Sequence, residues 1–227
     1  MTDKYISYGG GIGSTGLILK MLNKVRAGDM EVIYADTGAD LPETDKYLDY
    51  IKQNLDIDIT TVSAQDSLYD FCWKHHTIPH RAWRWCTDKF KIRPIKKYAG
   101  KDEPYFGLTW DERWRARDFT VAGIPSHQPF VDRGISRALL MPEIKKADIE
   151  TPCKSGCFFC PFQGKERWRE LFFKHPDLFE KAALLEERAM LNSPGNVISP
   201  SGRTLRSFEK EFREQTQLIT GSTKRTI

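Results

Sequence analysis

The 227-residue chain has no long apolar run. Nothing in it approaches the roughly 18 consecutive apolar residues that a membrane-crossing helix needs. Its start, Met1-Thr2-Asp3-Lys4, lacks a basic stretch followed by an apolar one, so no secretory signal is expected and the cytoplasm is the expected location. Cysteine is scarce: there are five, Cys72, Cys86, Cys153, Cys157 and Cys160. An odd count in a reducing compartment argues against a disulfide framework. Internal repeats and low-complexity tracts are also missing. Neither sign of charge dominates. The net charge of +4 permits a phosphate-rich ligand or a nucleic acid without requiring either.

What is present is an ordinary globular composition, 40% hydrophobic and 29% charged, with a length that fits one large domain or one domain with an appendage. Apolar runs alternate with amphipathic stretches through the first half. Residues 4–7, 31–36 and 58–62 read as strands, and residues 14–24 and 42–55 as helices between them. Pro42 suits a first helical turn. This order implies parallel strands with short crossovers. Residues 87–98 read as another helix, and residues 104–108 and 138–141 as a fourth and a fifth strand. The expected fold is therefore α/β, a Rossmann-like sheet of about five mainly parallel strands. After Pro152 a cysteine-rich loop leads into helices at 163–174, 176–191 and about 207–217. The expected division is a nucleotide-binding α/β domain over residues 1–150 and a cysteine-loop and helical extension over residues 151–227, packed on it.

A glycine-rich turn, Gly9-Gly10-Gly11-Ile12-Gly13-Ser14-Thr15, follows the first strand and opens the first helix. A helix N-terminus offers unpaired N–H groups and the positive end of a dipole, and glycine lets a phosphate approach the backbone. Ser14 and Thr15 supply hydroxyls for capping or for the ligand. The turn lacks the Gly-Lys-Ser/Thr ending of a Walker A loop and the spacing of a dinucleotide fingerprint. Candidate phosphate clamps are Lys91 and the alternating Arg113, Arg115 and Arg117, which share a face if that segment is extended.

Cys153, Cys157 and Cys160 fall within eight residues, and Cys86 supplies a fourth thiol. Four thiolates suit Zn²⁺ or a [4Fe–4S] cluster; a lone cysteine plus a run of three, with Pro161 after the last, leans towards iron–sulfur. Cys72, between Phe71 and Trp73, reads as a buried thiol outside the set. Residues 67–85 are rich in His, Trp and Arg and have weak periodicity. They fit an insertion lying over a site, with the rings in the core, or a docking place for a nucleic acid.

The glycine turn resembles the PP-loop pattern Ser-Gly-Gly-x-Asp-Ser, with Gly9 in place of the first Ser and Gly13 in place of the Asp. Asp36-Thr37-Gly38-Ala39-Asp40-Leu41-Pro42-Glu43-Thr44 is similar to the Asp-Thr-Gly…Pro-Glu-Thr segment of phosphoadenosine phosphosulfate (PAPS) reductases. Trp85-Cys86-Thr87 with Lys91-Ile92-Arg93-Pro94, and Gly107-Leu108-Thr109 with Glu112 and Arg113, resemble further segments of that family in the same order. Trp85-Cys86-Thr87 and Gly156-Cys157-Phe158-Phe159-Cys160 also look like segments of DndC-type phosphorothioation proteins. The resemblance implies an adenine nucleotide alpha-hydrolase-like fold and ATP or a related adenylate at the carboxyl edge of the sheet. The implied nucleotide-site residues are Ser7, Gly9, Gly10, Gly11, Gly13, Ser14, Thr15, Asp36, Thr37, Gly38, Lys91 and Arg113, with Mg²⁺ on the phosphates. It also favours a [4Fe–4S] cluster on Cys86, Cys153, Cys157 and Cys160.

The function this implies is an enzyme of sulfur chemistry that adenylates a substrate and replaces AMP by sulfur. The acceptor is left open among nucleic acids and small molecules. Two alternatives stand beside it. One is a (phospho)adenylylsulfate reductase, disfavoured because those enzymes attack with a cysteine near the C-terminus and no cysteine follows Cys160. The other is a module that binds a nucleotide without turning it over.

Overall fold

The computed structural model describes residues 3–116, 120–121, 123–152 and 156–222. The chain divides into two compact units: unit 1 comprises Met1–Ser67 and Thr87–Gly156, and unit 2 comprises Leu68–Cys86 and Cys157–Ile227. Residues 68–86 thus group with the C-terminal segment, across the single boundary expected near residue 150.

Unit 1 is built on four parallel strands, β1 (Lys4–Tyr8), β2 (Glu31–Asp36), β3 (Thr60–Ser63) and β4 (Glu103–Phe106), in the order β3-β2-β1-β4. Ser7 lies opposite Ile33 on one side and Phe106 on the other. Side chains alternate across the sheet. Ile6, Tyr8, Val32 and Tyr34 join Leu17 and Ile18 of α1 (Ile12–Arg26), Tyr47, Leu48 and Ile51 of α2 (Pro42–Leu55), and Leu140 and Ile144 in one core. Tyr5, Ile33 and Ala35 face the other way and pack with Ile95 and Ala99 of the helix Arg93–Ala99. Helices therefore cover both faces, as buried parallel strands require.

The fifth strand expected at 138–141 is instead part of a helix, Arg137–Lys146. Leu140 and Ile144 stand four residues apart and both point into the core, which is helical spacing. The start of this helix is fixed from a distance: the Asp111 carboxylate accepts the Arg137 backbone N–H at 2.6 Å. That bond holds the Asp111 carboxyl below its ordinary range. A short run of Ala, Leu and Met carries no local mark that distinguishes strand from helix. A two-residue antiparallel pair, Thr120–Val121 with Ile124–Pro125, lies outside the main sheet.

Unit 2 is helical: α3 (Leu68–Lys74) and the helices Lys165–Lys174, Pro176–Asn192 and Leu205–Ser222. Trp168, Phe179, Phe208 and Phe212 are fully buried, and Phe172 packs against both Phe179 and Phe212. Arg206 ties the last two of these helices together, with a bidentate pair to Glu180 at 2.6 and 2.7 Å and a bond to Glu187 at 2.7 Å. Among the described residues no helix is long and apolar enough to cross a membrane.

Candidate functional site

The strand order reverses between β1 and β4, because the chain runs outward through β2 and β3 before returning to the other side of β1. Open parallel sheets bind ligands in the crevice at such a switch point, outside the carboxyl ends of the strands. Three of the loops that leave the sheet at its carboxyl edge follow the strands nearest this point: residues 9–11 after β1, residues 37–41 after β2, and residues 107–109 after β4.

The first loop turns through Gly10, whose φ of 65° suits glycine, and Gly11 is the N-cap of α1. A glycine cap has no side chain to accept the first-turn amides, so those of Ile12, Gly13 and Ser14 are left for another acceptor. The Ser14 hydroxyl turns back onto the loop instead: Oγ accepts the Gly9 and Gly11 amides at 3.3 Å each and donates to the Gly11 carbonyl at 3.1 Å. Thr15 is buried, its Oγ1 3.2 Å from the Tyr8 hydroxyl. Burial pushes the Tyr8 hydroxyl pKa well up. Ser7, the penultimate residue of β1, is half-buried, and Gly9 is exposed with nothing within 4 Å of where a Cβ would stand.

Gly13 occupies the place of the aspartate in the PP-loop pattern, and the fold supplies the reason. A Cβ built on Gly13 would lie 1.9 Å from the Gly107 carbonyl oxygen, and one built on Gly107 would lie 2.4 Å from the Gly13 carbonyl carbon. Two backbones meet here with no room for a side chain. The paired glycines lock the loop after β1 against the loop after β4, at the switch point itself. Sequence reading reached both residues but not their contact.

The second loop is organised by two carboxylates. Asp36 Oδ1 accepts the Gly38 amide at 2.7 Å, and Asp40 Oδ2 accepts the Tyr34 hydroxyl at 3.0 Å and the Thr37 hydroxyl at 2.9 Å. Thr37 is buried, and Gly38 (φ 64°) sits where a Cβ would meet Ser67 Cβ at 2.6 Å. Burial, with Asp36, Asp40 and Asp49 nearby, raises the Asp45 pKa. Asp40 and Tyr34 are thus the loop's framework, roles the sequence pattern left unassigned.

The basic candidates are placed differently. Lys91 is half-buried in a π-helical turn, Asp88–Ile92, that packs against β2. Residues Trp110–Arg115 form a 3-10 turn rather than the extended segment expected for Arg113, Arg115 and Arg117. In that geometry positions three apart eclipse. Arg113 accordingly folds back on Trp110, 4.7 Å over its ring and bonded to its carbonyl, while Arg115 pairs with Glu112. Arg117 lies outside the described residues.

The thiols gather in unit 2. Cys72, Cys86, Cys157 and Cys160 are not disulfide-bonded. Cys72 is fully buried on α3, and its pKa is driven up by burial and then by the nearby Cys86 and Cys157. Cys72, expected as a buried or free thiol outside the ligand set, is buried and neighbours two of the expected ligands. The Cys160 amide donates to the Cys157 carbonyl at 3.1 Å, and Gln163 Nε2 closes the loop onto the Phe158 carbonyl at 2.7 Å. Tyr69 packs on Phe158 and Phe159, and Phe71 on Trp85, giving the cysteines an aromatic surround. These are soft donors in an apolar setting, the chemistry that zinc or iron–sulfur takes. Among the described residues no group of three His, Cys, Asp or Glu side chains is arranged to hold an ion. Cys153, the remaining expected ligand, lies outside those residues.

Comparison with known proteins bears on unit 1. Residues 4–110 match the phosphoadenosine phosphosulfate reductase domain. Uncharacterized protein MJ0973 of Methanocaldococcus jannaschii is 24% identical over 211 residues, 81% of this chain and 49% of that protein. Uncharacterized protein MJ0066 of the same organism is 28% identical over 193 residues, 73% of this chain and 37% of that protein. The chain thus spans about half, or less, of the length of the curated relatives it matches. A crystal structure of PAPS reductase from Candida auris in a phosphate complex aligns with a TM-score of 0.49 at 14% identity, covering 67% of this chain and 76% of that one. The similarity to the phosphoadenosine phosphosulfate reductase domain thus runs over residues 4–110, which hold the whole four-stranded sheet of unit 1.

Proposed function

We propose that the protein binds ATP or a related adenylate at the carboxyl edge of β1, β2 and β4 and activates a substrate by adenylation for sulfur transfer. The observation that carries this reading is the glycine loop at the switch point, with the first-turn amides of α1 uncovered by any cap side chain. The phosphates lie over residues 9–15, with Ser7 one residue before the strand end and Asp36, Thr37 and Gly38 bordering the crevice. Mg²⁺, when bound with the nucleotide, would supply neutralising charge for the phosphates. Lys91 adds positive charge, and Arg113 joins only by leaving the Trp110 ring. The substrate oxygen attacks the α-phosphorus, the bond to pyrophosphate breaks, and a sulfur nucleophile then displaces AMP. Catalysis is mainly placement and charge neutralisation.

The cofactor of this reading is a [4Fe–4S] cluster on Cys86, Cys153, Cys157 and Cys160, with Zn²⁺ as the alternative. When bound, the cluster supplies a place to hold sulfur. Anaerobically isolated protein is expected to carry about four irons and four sulfides per chain, lost in Cys86→Ser; zinc in place of iron would overturn the cluster.

The nucleotide site is tested by equilibrium dialysis with labelled ATP and Mg²⁺. Gly9→Glu places a carboxylate at the anion cradle in open space, so the fold is kept and the phosphates are repelled. Wild type is expected to bind saturably and Gly9→Glu at least about tenfold more weakly. Absence of wild-type binding, or an unchanged Gly9→Glu, defeats the assignment. A second reading, binding without turnover, is favoured by Gly13, since no carboxylate fits where the family pattern has one. Pyrophosphate release separates the two readings.

A further inference from the structure

Unit 2 carries a surface that neither the adenylate site nor the cysteine cluster uses. From Phe71 to Thr87 the chain has no acidic residue, while Lys74, Arg81 and Arg84 stand among four aromatic or histidine-bearing positions that face outward. Trp83 is 76% exposed. Such exposure is unusual for the largest apolar side chain. The guanidinium groups of Arg81 and Arg84 each lie 5.4 Å from the centre of the Phe162 ring, itself 43% exposed. Trp73, also exposed, has the Arg188 guanidinium 4.6 Å from its ring centre. Of the two expectations for this segment, rings in the core does not hold for Trp73 and Trp83, which stand exposed.

The surface is also held in place. His80 Nε2 is 2.7 Å from Asn196 Oδ1, the Trp85 amide donates to the Trp83 carbonyl at 2.7 Å, and Arg188 Nε donates to the Trp73 carbonyl at 2.8 Å. Exposed rings interleaved with arginines, on a stretch without carboxylates, match two features of one ligand class: stacked bases and a phosphate backbone. A duplex hides its base faces, so only an unpaired strand offers both.

We propose that this face of unit 2, centred on Trp83 with Arg81, Arg84, Phe162, Trp73 and Arg188, binds a single-stranded polynucleotide. A base stacks on Trp83, and the arginines take the adjoining phosphates. Arg84 is two residues from Cys86, and Phe162 two residues from Cys160, so the bound strand lies next to the thiol loop. The binding claim concerns unit 2 alone and stands apart from the adenylate reading.

The test is fluorescence anisotropy of the full chain with a labelled single-stranded 20-mer of about that length, as DNA and as RNA, and with the matching duplex. Saturable binding of a single-stranded probe is expected, falling about 20-fold between about 50 and 200 mM salt for three phosphate contacts. Trp83→Ala is expected to weaken binding roughly tenfold or more, with Trp83→Phe recovering most of it. Arg81→Ala/Arg84→Ala is expected to flatten the log–log salt slope by about 1.4. Because Trp83 is exposed, these variants leave the fold intact, which circular dichroism verifies. No saturable binding of either single strand, equal or tighter binding of the duplex, or an unchanged Trp83→Ala would overturn the proposal.

Discussion

Gly13→Asp, which restores the aspartate of the PP-loop pattern, is expected to break unit 1 instead of improving its chemistry. A Cβ at residue 13 meets the Gly107 carbonyl oxygen at 1.9 Å, well inside any van der Waals contact. The obstacle is backbone, so no rotamer relieves it. Either the loop after β1 or the loop after β4 must move. Overpacking of this kind costs about 1–3 kcal/mol and occasionally more, and Gly13→Ala is expected at or above the top of that range. Gly107→Ala is expected to cost as much, since its Cβ would meet Gly13 and the Ser14 amide within 2.5 Å. Gly9→Ala is the control: its Cβ meets nothing within 4 Å, and its expected effect is within about 0.5 kcal/mol. Urea unfolding of the three variants checks the order. Equal stability of Gly13→Ala and Gly9→Ala would dismiss the glycine lock, and with it the explanation for the missing aspartate.

Glu186→Ala is expected to be nearly as damaging in unit 2. Glu186 is 1% exposed, and its carboxylate accepts the Ile198 amide at 2.8 Å and the Leu205 amide at 2.6 Å. Leu205 opens the last helix, so the carboxylate acts as its cap from a neighbouring helix. Removing it strands two buried amides, each at about 1–3 kcal/mol. Glu186→Gln keeps one acceptor and turns an NH₂ donor towards the other amide, so an intermediate loss is expected. Hydrogen exchange at Ile198 and Leu205 should accelerate in both variants, and unchanged protection there would refute the cap.

The same residue sets a pH dependence. Burial is the largest influence and raises the Glu186 pKa, with the two amide bonds opposing it. The folded state therefore holds its proton more tightly than the unfolded chain. Its contribution to stability is greatest below the ordinary glutamate range and declines as pH rises through the raised folded value. Glu186→Gln is expected to lose that decline, visible as a flatter stability profile across weakly acidic pH.

The sheet's first three strands and two helices were legible in sequence because their signals are local. Ile6, Val32 and Tyr34 alternate with residues of the opposite face, and Tyr47, Leu48 and Ile51 repeat at helical spacing. The glycine turn after β1 and the Asp-Thr-Gly loop after β2 were legible for a related reason. Each is a contiguous run whose position between a strand and a helix follows from its neighbours. What escaped was whatever depends on residues distant in the chain. The stretch at 138–141 became helix because Asp111 caps its start and Leu140 and Ile144 meet α1, neither of which is written at 138–141. The segment of Arg113 is a 3-10 turn and not an extended strand end, and that turn sets which neighbours Arg113 eclipses. Residues 68–86 left the first unit for the second, and Trp83 came to the surface, although composition alone suggested a buried ring. The sequence by itself determined the order of the elements and the turn that opens α1, since periodicity and glycine act within a few residues. Only the tertiary structure decided that Gly13 must lack a side chain, that Glu186 must accept two buried amides, and that Cys72 keeps company with Cys86 and Cys157, because each depends on a contact made across the fold.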